Sequence, residues 1–355
     1  MASLRNRLLA LAAGVTVALV PLAGTAAPAG AAPAAPAAAP RTILPDDAAA
    51  GWLARQLVGG DHLETDFGGT SFPDQGLTID GVFAFAAAHV SGTSAAKAVA
   101  WLALPDNITG YTGGGGSESY AGPTAKLMLL AEVAGKDPRT FGGANLRLRL
   151  LDLLTPSGRF ADRSAFGDFS NAFGQAYAVL ALNRAGGAPQ QAISFLAGTQ
   201  CRDGGFPLDF GAAQPCASDV DSTALVVQAL RATGRIAAAN RGVAWLVSKQ
   251  QATGGVAALD GVGTPNANST GLAGQAFADA GRVAPAAKAG AFLGRLQLRC
   301  PAAVANRGAI PFDSSGFDPA TAVRATAQGV LGLTGTGLVR LSLTGSAPGN
   351  PVLAC

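Results

Sequence analysis

Close sets of metal ligands are missing from this 355-residue chain: its four cysteines include no Cys-x-x-Cys, and its two histidines, His62 and His89, lie far from all of them. A zinc site needs such ligands near one another, so no metal is expected. Charge is scarce, at 13 % Asp, Glu, Lys and Arg, and the basic residues are scattered without interleaved aromatics; that argues against a nucleic-acid partner. Beyond Leu8 to Leu22 no apolar run approaches the ~20 residues of a membrane span, so no membrane anchor is expected. The Gly-rich stretches at Gly113 to Gly116 and Gly254-Gly255 lack a following Lys-Thr or Lys-Ser, which leaves them as turns rather than phosphate loops. No cofactor is implied.

What is present is apolar bulk: 49 % of the residues are hydrophobic, enough for a substantial core. At the N-terminus, Arg5 and Arg7 precede the apolar run and the small residues Ala29-Gly-Ala31 follow it. This is the pattern of an export signal cleaved after Ala31, with residues 32–42 as an Ala/Pro-rich tether. The expected product is a secreted, monomeric protein. In an oxidising compartment four cysteines favour two disulfides, and the expected pairs are Cys201 with Cys216 and Cys300 with Cys355.

The chain also repeats itself, a feature that decides fold before anything else. Phe195-Leu-Ala-Gly-Thr-Gln200-Cys-Arg-Asp203-Gly-Gly-Phe206 aligns without a gap on Trp245-Leu-Val-Ser-Lys-Gln250-Gln-Ala-Thr253-Gly-Gly-Val256. Phe292 to Gln297 repeats the first half, and Trp52-Leu53 and Trp101-Leu102 repeat the aromatic-Leu pair. Alternating with these segments are Ala/Leu/Val-rich runs that end in Gly92, Gly135, Gly186, Gly234, Gly281 and Gly335, glycine being the usual helix stop. Successive glycines are 43, 51, 48, 47 and 54 residues apart, room for two helices and their loops. The first helix type carries Lys, Arg and Gln beside its apolar stripe. The second is apolar nearly all round and belongs inside. Six polar-backed helices around six buried ones predict an all-α, (α/α)6 toroid spanning residues 43–335. Residues 336–355 form a tail that the Cys300–Cys355 bridge ties across the closure.

The pattern Ala-x-x-(Phe/Trp)-Leu-x-x-x-Gln-x-x-Asp-Gly-Gly-Phe resembles the repeats of the squalene cyclase and protein prenyltransferase β-subunit superfamily, over nearly all of the mature chain. The resemblance implies an α/α toroid in which the Gln and the terminal aromatic tie an outer helix to the turn after it. It also supplies chemistries to test. Class II terpene cyclases protonate an alkene with the middle Asp of Asp-x-Asp-Asp-(Thr/Ser)-Ala. Asp219-Val-Asp221-Ser222-Thr223-Ala224 is one residue away from that motif, so by carry-over Asp221 is the general acid and Asp219 its neighbour. The competing reading is a helix cap, favoured because the next repeat holds Asn266-Ala-Asn268-Ser269-Thr270 in the same place, and Asn cannot donate the proton. A cyclase also needs a cavity of aromatic faces, whereas the inner runs offer only Phe83, Phe85, Phe173, Tyr177 and Phe277. The prenyltransferases' Asp-x-Cys zinc pair and the thioester proteins' Cys-Gly-Glu-Gln are absent.

The expectation is therefore a non-catalytic binding or scaffold module for a small apolar or mixed ligand or a cell-envelope partner. The alternative is a cyclase acting through Asp221. Asp80, Tyr120, Asn171 and Asn268, placed at the starts of other inner helices, are the candidate binding residues around Asp219 and Asp221.

Overall fold

The computed structural model describes residues 39–211 and 216–355; the expected leader and most of the tether lie outside these residues. Residues 39–355 form one compact unit. Its helices alternate between two rings. The inner ring holds α2 (Gln75–Ala88), α5 (Ala121–Val133), α7 (Ala172–Arg184), α9 (Val220–Ala232), α11 (Ala267–Asp279) and α13 (Pro319–Thr334). The outer ring holds α1 (Pro45–Ala54), α3 (Gly92–Leu102), α6 (Leu146–Leu151), α8 (Gln190–Gly198), α10 (Ile236–Lys249) and α12 (Val283–Leu296), with α4 (Pro105–Thr112) added after α3. Each inner helix packs on the next, and α13 packs back on α2, so the ring closes.

Sequence chemistry explains both rings. In α2 every residue from Leu77 to Ala88 is buried, as an all-round apolar helix requires. Small residues let the inner helices approach closely. A Cβ on Gly174 would lie 3.0 Å from the Gly122 Cα, and one on Gly271 would lie 2.3 Å from the Gln328 carbonyl oxygen. The outer helices are joined by the repeat's glutamine. Gln200 Nε2 donates to the Gly204 and Ala238 carbonyls at 2.8 and 2.9 Å, and Gln250 Nε2 donates to Gly254 and Pro285, both at 2.9 Å. Gln297 Nε2 donates to Gly308 and, at 2.6 Å, to Pro45 at the start of α1. Each glutamine thus ties its own turn to the next outer helix, and the last one joins the sixth repeat to the first.

A second tie fixes the register of the inner helices. Thr78, Thr223, Thr270 and Thr326 each accept the backbone N–H of the residue that ends the preceding turn, Leu63, Phe206, Val256 and Ile310, at 2.8 to 2.9 Å. Gln175 does the same for Phe160 at 2.9 Å.

Both expected disulfides are present, Cys201–Cys216 and Cys300–Cys355. The tail does more than the bridge alone implied: it covers the mouth of the ring at the C-terminal ends of the inner helices. Gln275 Nε2 donates to the Thr336 carbonyl at 2.7 Å, and the Leu338 N–H donates to Gln228 Oε1 at 2.9 Å. Arg184 donates to the carbonyls of Leu338, Val339 and Leu341. The Leu343 and Ala347 N–H groups donate to the Val133 and His89 carbonyls. The tail ends as β4 (Val352–Leu353), parallel to β1 (Arg41–Thr42). A short antiparallel hairpin, β2 (Glu64–Phe67) with β3 (Thr70–Pro73), stands beside the opposite mouth, before α2.

Two sequence expectations need correction. The first inner run does not start at Asp80 or end at Gly92. Asp74 caps α2, its Oδ1 accepting the Leu77 N–H at 2.8 Å, and His89, at φ 53°, ends it in the left-handed region. Gly92 opens α3. Asp80 looked like a start because the polar residue interrupts an apolar run; its carboxylate is held by ion pairs instead.

Candidate functional site

The mouth at the N-terminal ends of the inner helices is where the sequence candidates gather. Counting from these four threonines, from Gln175 on α7 and from Thr124, which stands at the same place on α5, gives corresponding positions on the six inner helices. Two residues before the anchor stand Gly76, Gly122, Phe173, Asp221, Asn268 and Arg324; two after it stand Asp80, Lys126, Tyr177, Leu225, Leu272 and Gln328. Half of the ring is polar at this level. Lys126 Nζ lies 2.7 Å from Asp80 Oδ1 and donates to the Gly76 carbonyl at 3.0 Å. Arg324 pairs with Asp74 at 3.0 Å and with Asp80 at 3.9 Å. Lys126 also sits 5.8 Å from the centre of the Tyr177 ring. An ionic chain thus runs from α13 through α2 and α5 to α7, in which each buried charge has a counter-charge.

Beside this chain is a recess of about 270 Å³ bounded by Tyr111, Lys126, Asp162, Phe169, Asn171 and Tyr177, among others. Tyr111 reaches it from α4. Burial and then the Asp80 carboxylate push the hydroxyl pKa values of Tyr111 and Tyr177 up, so both remain protonated donors. Asn171 caps α7, its Oδ1 accepting the N–H groups of Phe173 and Gly174 at 3.1 and 3.2 Å, which leaves its amide N–H groups free of that duty. Tyr120 caps nothing with its side chain, and its hydroxyl donates to Glu118 at 2.7 Å.

The Asp pair divides in two. Asp219 is the N-cap of α9 and accepts the Ser222 N–H at 2.7 Å. In the next repeat Asn266 is the N-cap of α11 and accepts the Ser269 N–H at 2.8 Å. Asp221 caps nothing. Its Oδ1 is buried without a hydrogen-bond partner, as is Asn268 Oδ1 on α11. Burial pushes the Asp221 pKa up to about 6, with a hydrogen bond from Ser269 opposing and the Asp219 charge reinforcing the shift. The cap reading therefore describes Asp219 and leaves Asp221 as a buried carboxyl whose pKa is raised toward neutral pH.

Phe173 and Tyr177 border the recess, but the other aromatic residues of the inner helices do not line a chamber. Phe83, Phe85 and Phe277 are each at most 1 % exposed, and a ring facing a ligand-sized void would present area to it. The three tryptophans serve the outer wall: Trp52 Nε1 donates to the Ala305 carbonyl and Trp245 Nε1 to Asp203 Oδ2, while Trp101 stacks on His62. Among the described residues no group of three or more His, Cys, Asp or Glu is placed to hold a metal ion.

Sequence reasoning missed Lys126, Arg324 and Tyr111. For Lys126 and Arg324 the signal was a charged residue inside an otherwise apolar inner helix; Tyr111, on α4, carried none. Aligning the repeats on threonine rather than on the terminal glycine brings it out.

No protein-family model matches the chain, and no curated protein matches it significantly. Solved structures do. The type II terpene cyclase MstE from Scytonema is 18 % identical with a TM-score of 0.59, covering 82 % of this chain and 96 % of that one. Unsaturated glucuronyl hydrolase from Bacillus sp. GL1 is 12 % identical with a TM-score of 0.56, covering 81 % and 95 %. A protein from Actinoplanes is 18 % identical with a TM-score of 0.58, covering 82 % and 98 %. At such identities the likeness is one of fold, and the fold that this chain shares with these structures is the α/α toroid.

Proposed function

We propose that this chain is a secreted, non-catalytic binding module that takes a small ligand of mixed character in the recess at the open mouth. The observation that carries the reading is the Arg324–Asp80–Lys126 chain, which links the neighbouring inner helices α13, α2 and α5 at the open mouth, where a cyclase would keep an aromatic-walled chamber. The fitting ligand has an apolar face for Phe169, Phe173 and Tyr177 and acceptor groups for the Tyr111 and Tyr177 hydroxyls. Two disulfides, and the lack of a helix long and apolar enough to cross a membrane among the described residues, support an extracellular setting.

The second reading is a cyclase-like enzyme, favoured by one observation: the buried Asp221 carboxyl, its pKa raised to about 6, is of the kind that protonates an alkene. Incubation with squalene and with geranylgeranyl-type polyenes between pH 5 and pH 7 separates the two. The binding reading expects no cyclised product from the native protein or from Asp221→Asn. A product formed by the native protein and lost in Asp221→Asn would overturn it.

A further inference from the structure

The loops around the open mouth share two properties that the recess does not use. They carry large apolar side chains at their tips: Phe67 is 69 % exposed, Phe166 81 %, Leu259 71 % and Val262 76 %. They are also acidic. The six connections that lead into the inner helices, residues 55–74, 113–120, 152–171, 199–219, 250–266 and 297–318, hold 14 Asp or Glu and 6 Lys or Arg.

Some of that acidity serves the fold. Asp74, Asp219 and Asp318 cap helices, and Asp162 accepts the Ala121 N–H, as helix N-termini favour. Asp66, Asp209, Asp260 and Asp313 stand away from any helix start and remain as surface charge. The opposite face differs on both counts. Its connections, residues 89–91, 134–145, 185–189, 233–235, 280–282 and 335–355, hold 5 Lys or Arg and 1 Asp, and few large apolar tips.

Leu259 adds an independent sign that the tips are kept for contact. It sits at φ 56° with its carbonyl accepting the Val220 N–H at 2.6 Å. Glycine would make that helix contact without the ~1 kcal/mol or more that a left-handed leucine costs. The side chain it retains faces solvent.

We infer that the acidic, apolar-tipped rim is a docking surface for a basic polypeptide that carries apolar side chains of its own. Charge complementarity selects the occupant. A lipid surface with anionic headgroups would be repelled by the carboxylates. A second copy would have to present its basic face, which offers little for the apolar tips, and that contact of unlike faces would not close. The inference stands apart from the recess and survives its failure, because the tips and charges lie on the loops.

The test uses the full mature protein, with a synthetic amphipathic helix of Lys and Leu as probe and its Glu and Leu counterpart as control. The Lys/Leu helix is expected to bind, with affinity falling as salt rises from about 0.05 to 0.5 M. Binding should weaken by about tenfold or more in Phe67→Ser/Phe166→Ser/Val262→Ser and, separately, in Asp66→Asn/Asp209→Asn. All five positions are exposed, and circular dichroism confirms that the variants remain folded. Equal or better binding of the Glu/Leu helix, no binding of either helix, or binding unchanged by both sets of substitutions overturns the proposal. So does tighter binding to phosphatidylcholine or phosphatidylglycerol vesicles, or self-association in sedimentation that the rim substitutions abolish.

Discussion

Burial holds the Asp221 carboxyl at a pKa of about 6, against 3.8 in the free side chain, while the following repeat carries Asn268 at the same register. A carboxyl whose folded pKa is raised takes up a proton on folding. Its stabilising contribution is complete below about pH 4 and is lost as pH climbs through 6. Asp221→Asn is therefore expected to raise the melting temperature by a few degrees at pH 8, on the order of 2 kcal/mol, and to change little at pH 4. A variant less stable than the native protein at pH 8 would mean that the Ser269 hydrogen bond outweighs burial in the ionised state. Glu132 follows the same sign at the covered mouth. Burial pushes its pKa up to about 8, with the Arg184 charge opposing, and its Oε2 lacks a hydrogen-bond partner. Thermal unfolding from pH 4 to pH 9 should show stability falling through this range in the native protein and a flatter profile in Glu132→Gln.

At the scale of helices and turns, the ties that the repeat predicts can be cut singly. Gln297→Ala leaves the Pro45 and Gly308 carbonyls without their side-chain donor at the point where the ring closes, and should cost roughly 1–3 kcal/mol in a urea titration. Gly271→Ala places a Cβ against the Gln328 backbone between α11 and α13. Backbone cannot turn aside, so a loss of about 3 kcal/mol or failure to fold is expected. These elements were legible in the sequence because each is a local signal repeated: the Gln beside its Gly-Gly turn, the aromatic-Leu pair, the short capping side chains Asn171, Asp219 and Asn266. The polar chain from Arg324 to Tyr177 was not, because its members lie on different repeats and only the threonine register brings them together. The start of α2 was misjudged for a related reason. A buried Asp80 inside a helix looks like a cap until its partners on α5 and α13 are known.

For the molecule as a whole, the tail decides which mouth is open. It crosses the ends of α11, α9, α7, α5 and α2 and is locked by Cys300–Cys355 over a sequence separation of 55, a closure that contributes about 4 kcal/mol if unstrained. Cys300→Ser/Cys355→Ser should lower the unfolding free energy by about that amount. It should also raise amide exchange in residues 336–355 before it does so in the inner ring. The other mouth is left to the recess and its rim, and the central claim is that the ring between the two mouths is filled. Xenon pressurisation of crystals tests that most directly, since xenon enters dry apolar voids of ligand size. The account predicts no xenon among Phe83, Phe85 and Phe277; a well-occupied site enclosed by those rings would contradict it and restore the cyclase chamber.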